Sequence, residues 1–135
     1  MRCKLHFLIV EDDDVVTMLI LEQLTQVFGG YSHLECTSSP SIACESLTHG
    51  EFDAILFDLS LVNQGGNTIV TTIRSRAPYT PLFLLVEKCH QLQGIGSLLE
   101  GTSGCLFKHE LRERTWLKRL CAAVAHRNAV PIPLA

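Results

Sequence analysis

HFLIVEDDDVV, residues 6–16, sets an uninterrupted apolar run against four consecutive acids, Glu11, Asp12, Asp13 and Asp14. Apolar residues without alternation suit a strand covered on both faces, as in a parallel sheet enclosed between layers of helix. A helix starting at residue 14 would need one capping acid, so four acids exceed what a cap requires. The stretch therefore predicts a buried parallel strand whose carboxyl end carries a cluster of charge.

Working outward, four further runs have the length and composition of strands: 32–38, 52–59, 80–86 and 104–107. Helical spacing fills the gaps. Residues 14–28 place Val16, Ile20, Leu24 and Val27 on one stripe and stop at Gly29-Gly30. Residues 40–49 start with Pro40 at a first helical position and end at Gly50. A third helix is expected over 66–76, ended by Ala77-Pro78, and a last one over 110–127 with Leu117, Leu120, Cys121 and Val124 in register. Between 89 and 100, Gly94 and Gly96 each cost about 1 kcal/mol relative to alanine, so any helix there should be short or mobile. Strand–helix alternation repeated in this way predicts an α/β fold with a parallel sheet and right-handed crossovers. The expected domain is 1–127, with 128–135 a tail or the start of a linker to a longer protein.

In such sheets sites form at the carboxyl ends of strands. Strand one ends in Glu11, Asp12 and Asp13, strand three in Asp58 and strand five in Lys108. If those ends converge, the carboxylates repel, and one must take up a proton unless a cation intervenes. Mg²⁺, which favours one or two carboxylates with waters and phosphate oxygens, suits the site.

Three blocks, LIVEDDD, DAILFDLSLVNQGG and GTSGCLFKH, resemble the signature blocks of the response-regulator receiver domain of two-component signalling. The resemblance covers residues 5 to about 127 and implies a flavodoxin-like (βα)5 doubly wound sheet in three layers, strand order 2-1-3-4-5. It also implies that Asp58 is a phosphoacceptor and that Glu11, Asp12, Asp58 and the backbone carbonyl of Ser60 hold Mg²⁺, with Asp13 a further candidate. Gly66 would close the following loop, and Lys108 would meet the phosphoryl oxygens. The implied partners are a histidine kinase or histidine phosphotransfer protein and a downstream effector protein or domain, with homodimerisation left open. Helix one, where Met18 and Leu21 extend the apolar surface, is the implied docking face. Such a domain is a phosphoacceptor and not an enzyme beyond its own phosphorylation and dephosphorylation.

The chain departs from that pattern where the family reads out its state. Val86 stands in place of a threonine or serine, Cys105 in place of the switch aromatic, His109 in place of a cis proline, Glu87 in place of a small residue and Val62 in place of a proline. These departures motivate the alternative of a pseudo-receiver, a protein-interaction module independent of phosphate. Other classes fit less well, since no DxDxT hydrolase motif and no GxGxxG follows strand one.

Bulk properties agree with the leading reading. A chain of 135 residues, 47% hydrophobic and 19% charged, suits one globular core. The net charge of −3 gives no footprint for direct nucleic-acid binding, and the basic residues that gather in RERTWLKR (112–119) read as the wet face of a helix. No apolar run reaches the length of a membrane span and no leader pattern opens the chain. The cysteines (3, 36, 44, 89, 105 and 121) form no CxxC pair, which points to reduced thiols and a cytoplasmic protein. The histidines (6, 33, 49, 90, 109 and 126) show no ligand spacing and read as surface or structural residues.

Overall fold

The computed structural model describes residues 4–65 and 68–128; Cys3, Gly66 and the tail beyond 128 lie outside the described residues. Five strands, β1 (Leu5–Val10), β2 (Ser32–Thr37), β3 (Ala54–Asp58), β4 (Leu82–Val86) and β5 (Gly104–Phe107), form one sheet in the order β2-β1-β3-β4-β5. Every pairing is parallel, as the unbroken apolar runs require. All residues of β3 and β4 are buried, whereas β2, at the edge, is half-exposed.

Alternating side chains build two cores, one on each face of the sheet. On one face Leu8, Val10, Ile55, Phe57, Leu84 and Val86 meet the helices α2 (Pro40–His49), α3 (Leu59–Gly65) and α4 (Thr68–Arg76). On the other, Phe7, Ile9, Leu56, Phe83, Leu85 and Leu106 meet α1 (Asp14–Phe28) and α6 (Thr115–Asn128). The short α5 (Gly96–Leu99) completes the helices. Among the described residues no helix is long and apolar enough to cross a membrane, and Cys36, Cys44, Cys89, Cys105 and Cys121 are free.

Register places the site. Val10 pairs with Phe57, so the next residues, Glu11 and Asp58, emerge side by side at the carboxyl end of the sheet. Asp58 pairs with Leu85, and Val86 with Phe107, which brings Lys108 to the same end. Helix α1 starts because Asp13 accepts hydrogen bonds from the Val15 and Val16 N–H groups at 2.9 and 3.3 Å. It ends at Gly29, whose φ of 53° is costly for residues with a Cβ.

Two elements differ from the sequence expectation, while a third, segment 89–100, is as short as its glycines predict. Chain expected to leave strand three as a loop coils at once into α3, because Asp58 caps it and Leu59, Leu61 and Val62 are buried. Segment 89–100 breaks into a 3-10 turn at Cys89–Leu92 and the single turn of α5, with Gly94 between them at φ 76°. The last helix starts at Thr115 and not near 110, because a 3-10 turn at Lys108–Glu110 and a buried Leu111 precede it.

That turn is held by a buried polar clamp. Gln23 of α1 donates through Nε2 to the Leu111 carbonyl at 2.6 Å, and Trp116 donates through Nε1 to Gln23 Oε1 at 2.7 Å. Leu111 N–H donates in turn to the Lys108 carbonyl at 3.2 Å, so α1 steadies the loop that carries the lysine. Gln23→Ala should lower the unfolding free energy by about 1–2 kcal/mol, since two buried hydrogen bonds are lost while Trp116 Nε1 keeps its bond to the Leu111 carbonyl at 3.0 Å. Urea denaturation checks this; an unchanged midpoint would mean that the clamp adds nothing.

Candidate functional site

Glu11 is fixed first. Its N–H donates to the Thr37 carbonyl at 3.0 Å, extending the β1–β2 pairing by one residue. Its Oε1 accepts from the Asp12 and Asp13 N–H groups, both at 3.1 Å, and from Lys108 Nζ at 3.3 Å. The side chain is fully enclosed. Its other oxygen, Oε2, stands 3.1 Å from Lys108 Nζ, within ion-pair range but without the alignment of a hydrogen bond. Its one partner is thus the ammonium, and an oxygen without a hydrogen bond keeps lone pairs for a cation.

Asp58 sits beside it, with its side chain 2% exposed. Oδ1 accepts the Ser60 N–H at 3.1 Å, and Oδ2 accepts the Ser60 hydroxyl at 2.9 Å and lies 3.5 Å from Lys108 Nζ. Lys108 reaches a third acid, the exposed Glu87, at 3.7 Å. Asp12 is exposed at the rim. One oxygen each from Glu11, Asp12 and Asp58 lies within 4.8 Å of the others, the one group of its kind among the described residues. Oxygens around one Mg²⁺ stand about 3 to 4 Å apart. The all-oxygen donor set and the unbonded Oε2 therefore fit a hard divalent cation.

The other expected residues take different places. Asp13 spends its carboxylate on the α1 cap and stays out of the cluster. Ser60 meets Asp58 through its N–H and hydroxyl, while its carbonyl belongs to the first turn of α3. Val86 is fully buried in the core. Cys105 packs against the same core, and its carbonyl accepts from Arg119 at 2.8 Å. No cis peptide occurs among the described residues, and the His109 ring lies 5.7 Å from that of Phe107. Two contacts were not foreseen from sequence: the Ser60 hydroxyl on Asp58 and the Glu87–Lys108 pair. The first had a signal in D-x-S, an aspartate capping a residue two positions on. The second follows from register, since Glu87 and Lys108 come directly after the paired Val86 and Phe107.

Electrostatics follow from enclosure. Burial pushes the Glu11 carboxyl up to about 7, and the nearby Asp58 charge adds to it, against the lowering effect of the Asp13 N–H and Lys108. Burial by itself would depress Lys108, but the hydrogen bond to Glu11 and the charges of Asp58, Glu11 and Glu87 outweigh it and hold the ammonium above its ordinary value. Without a cation, the raised Glu11 value means its neutral form is the one the fold favours. The corresponding stability is present below the unfolded value near 4.5 and is lost as pH rises through about 7.

The sequence profile described as response regulator receiver domain matches residues 7–119. No curated protein matches the chain. Among solved structures, the receiver domain of the TMAO respiratory system response regulator TorR superposes with a TM-score of 0.70 at 25% identity, covering 89% of this chain and 98% of that one. The receiver domain of a sensor histidine kinase from Pseudomonas aeruginosa PAO1, described with a magnesium ion coordinated in its active-site cleft, gives 0.68 at 23%, covering 90% and 98%. A signal receiver domain of an HD domain-containing protein from Pseudomonas fluorescens Pf-5 gives 0.74 at 18%, covering 96% and 93%.

Glu11→Gln should leave the Oε1 contacts in place and remove the buried charge. In metal-free buffer the variant should gain stability over the native protein as pH rises from 5 to 8, by about 2 kcal/mol at the upper end. Thermal unfolding of both proteins across that range checks it. A difference independent of pH would contradict the charge assignment.

Proposed function

This chain belongs to the response regulator receiver domain family, and on that premise we propose that it accepts a phosphoryl group on Asp58 from a phosphohistidine partner in a Mg²⁺-dependent reaction. Domains of this family work with histidine kinases or histidine phosphotransfer proteins and with effectors. The reading is carried by one observation: three carboxylates and one ammonium crowd a single patch in which a buried oxygen lacks a hydrogen bond.

In the proposed reaction an Asp58 carboxylate oxygen attacks phosphorus in line. The Asp O–P bond forms as the P–N bond to the partner's imidazole breaks, and the ring departs with the electron pair. When bound, Mg²⁺ supplies charge neutralisation for the phosphoryl oxygens. Glu11, Asp12 and Asp58 would hold it. Lys108, poised 3.5 Å from Asp58 Oδ2 and 3.1 Å from Glu11 Oε2, would shield the growing negative charge. The Ser60 hydroxyl orients the Asp58 carboxylate, and its donation to Oδ2 leaves Oδ1, bound to one N–H, the less encumbered oxygen. Glu87 sits where an incoming dianion must approach Lys108, so it opposes the reaction. The partner would dock on the first turns of α1, where Val15 and Met18 are each 69% exposed, three residues apart, beside the site.

Incubation with a small-molecule phosphodonor and Mg²⁺ should add about 80 Da to the intact mass. Asp58→Asn or removal of the metal should abolish the adduct. A protein that stays unmodified while still binding its partner would instead be a phosphate-independent interaction module. Glu87→Gln should speed adduct formation several-fold, with the gain shrinking as salt rises. An unchanged rate would show that Glu87 does not face the incoming phosphate.

A further inference from the structure

At the other end of the sheet, the fold gathers three of the histidines that lie far apart in sequence. His6 of β1 and His33 of β2 are direct partners in the strand register, and their rings stand 5.1 Å apart at 45°. His49 is the last residue of α2. With Glu35, Glu45 and Glu51, these histidines line one groove of about 470 Å³ between the sheet edge and α2. Among the described residues, none of the three imidazoles enters a hydrogen bond or ion pair, so their nitrogens are not committed elsewhere.

We propose that this groove is a second metal site, for a borderline-soft divalent transition ion of the zinc class, with His6 and His33 as the paired ligands. Imidazole nitrogen selects such ions over Mg²⁺, and the three glutamates give the groove the negative surroundings a cation prefers. No three ligand atoms of the groove lie within 4.8 Å of one another in this structure, so a third ligand has to swing in: Glu35, two residues beyond His33 on the same face of β2, or His49. His33 and His49 are exposed, so no packed core has to move for their side chains to reorient. The groove lies roughly 16 Å along β1 from Glu11, so the two sites can fill independently.

The test is titration of the full chain with ZnCl2 in saturating Mg²⁺, followed by calorimetry and by histidine ring NMR. One ion per chain should bind, shifting the His6, His33 and His49 resonances and leaving His90, His109 and His126 in place. His33→Ala, at an exposed position, should keep the fold by circular dichroism and weaken binding by about tenfold or more. His109→Ala should bind as the native protein does. Equal affinity in His33→Ala, competition by Mg²⁺, or binding lost only in Cys36→Ser or Cys89→Ser would overturn the proposal. None of these outcomes bears on phosphorylation at Asp58.

Discussion

The structure turns on the crowding of Glu11 and Asp58 at the ends of neighbouring strands, with a single ammonium between them. The β1–β3 register places the two carboxylates side by side, and the fold encloses both. Folding gains nothing evident from this. Burying charge is expensive, and Lys108 balances one carboxylate at most. The strain is kept because every neighbour over-determines it. Two backbone N–H groups hold Glu11 Oε1, Ser60 holds Asp58 twice, and the Gln23–Trp116 clamp fixes the loop behind Lys108. Unneutralised charge built onto rigid elements is how a binding site differs from a structural ion pair.

The same crowding gives meaning to the departures from the family pattern. Val86 closes the core under the site in place of the family's threonine or serine, and Cys105 is a small packed residue in place of its aromatic. The acidic cluster and its lysine are therefore present, while the hydroxyl and the aromatic of the family pattern are replaced. Two features of this chain stand near the site and could respond to it. Asp58 is the cap of α3, so a group added to its carboxylate competes directly with the Ser60 bonds that start the helix. Glu87 and Lys88 N–H groups both donate to Gln91 Oε1, tying the loop after β4 to the 3-10 turn that replaces a regular helix.

Much of this was legible in the sequence for a simple reason: buried parallel strands are continuous apolar runs, and α1 and α2 carry both periodicity and caps. Asp14–Phe28, Pro40–His49 and Gly104–Phe107 fall where spacing put them. Legibility failed where local and distant effects compete. LSLV after Asp58 reads equally as strand end or helix start, and only burial of Leu59, Leu61 and Val62 with the Asp58 cap decides for helix. Leu111 looked like the first turn of the last helix until Gln23, far upstream, claimed its carbonyl. The histidine groove was invisible because its members belong to three elements and share no spacing. Convergence at the active end could be inferred only because each of its residues closes a strand.

The central claim is that the enclosed carboxylates wait for a divalent cation. An amide NMR titration of the metal-free protein with Mg²⁺ tests it most directly. Millimolar metal should move the resonances of Glu11, Asp12, Asp13, Asp58, Ser60 and Lys108 together along one saturating curve, and Asp58→Asn should flatten it. Resonances that stay still through that range, or shifts scattered evenly over the surface acids, would contradict the account.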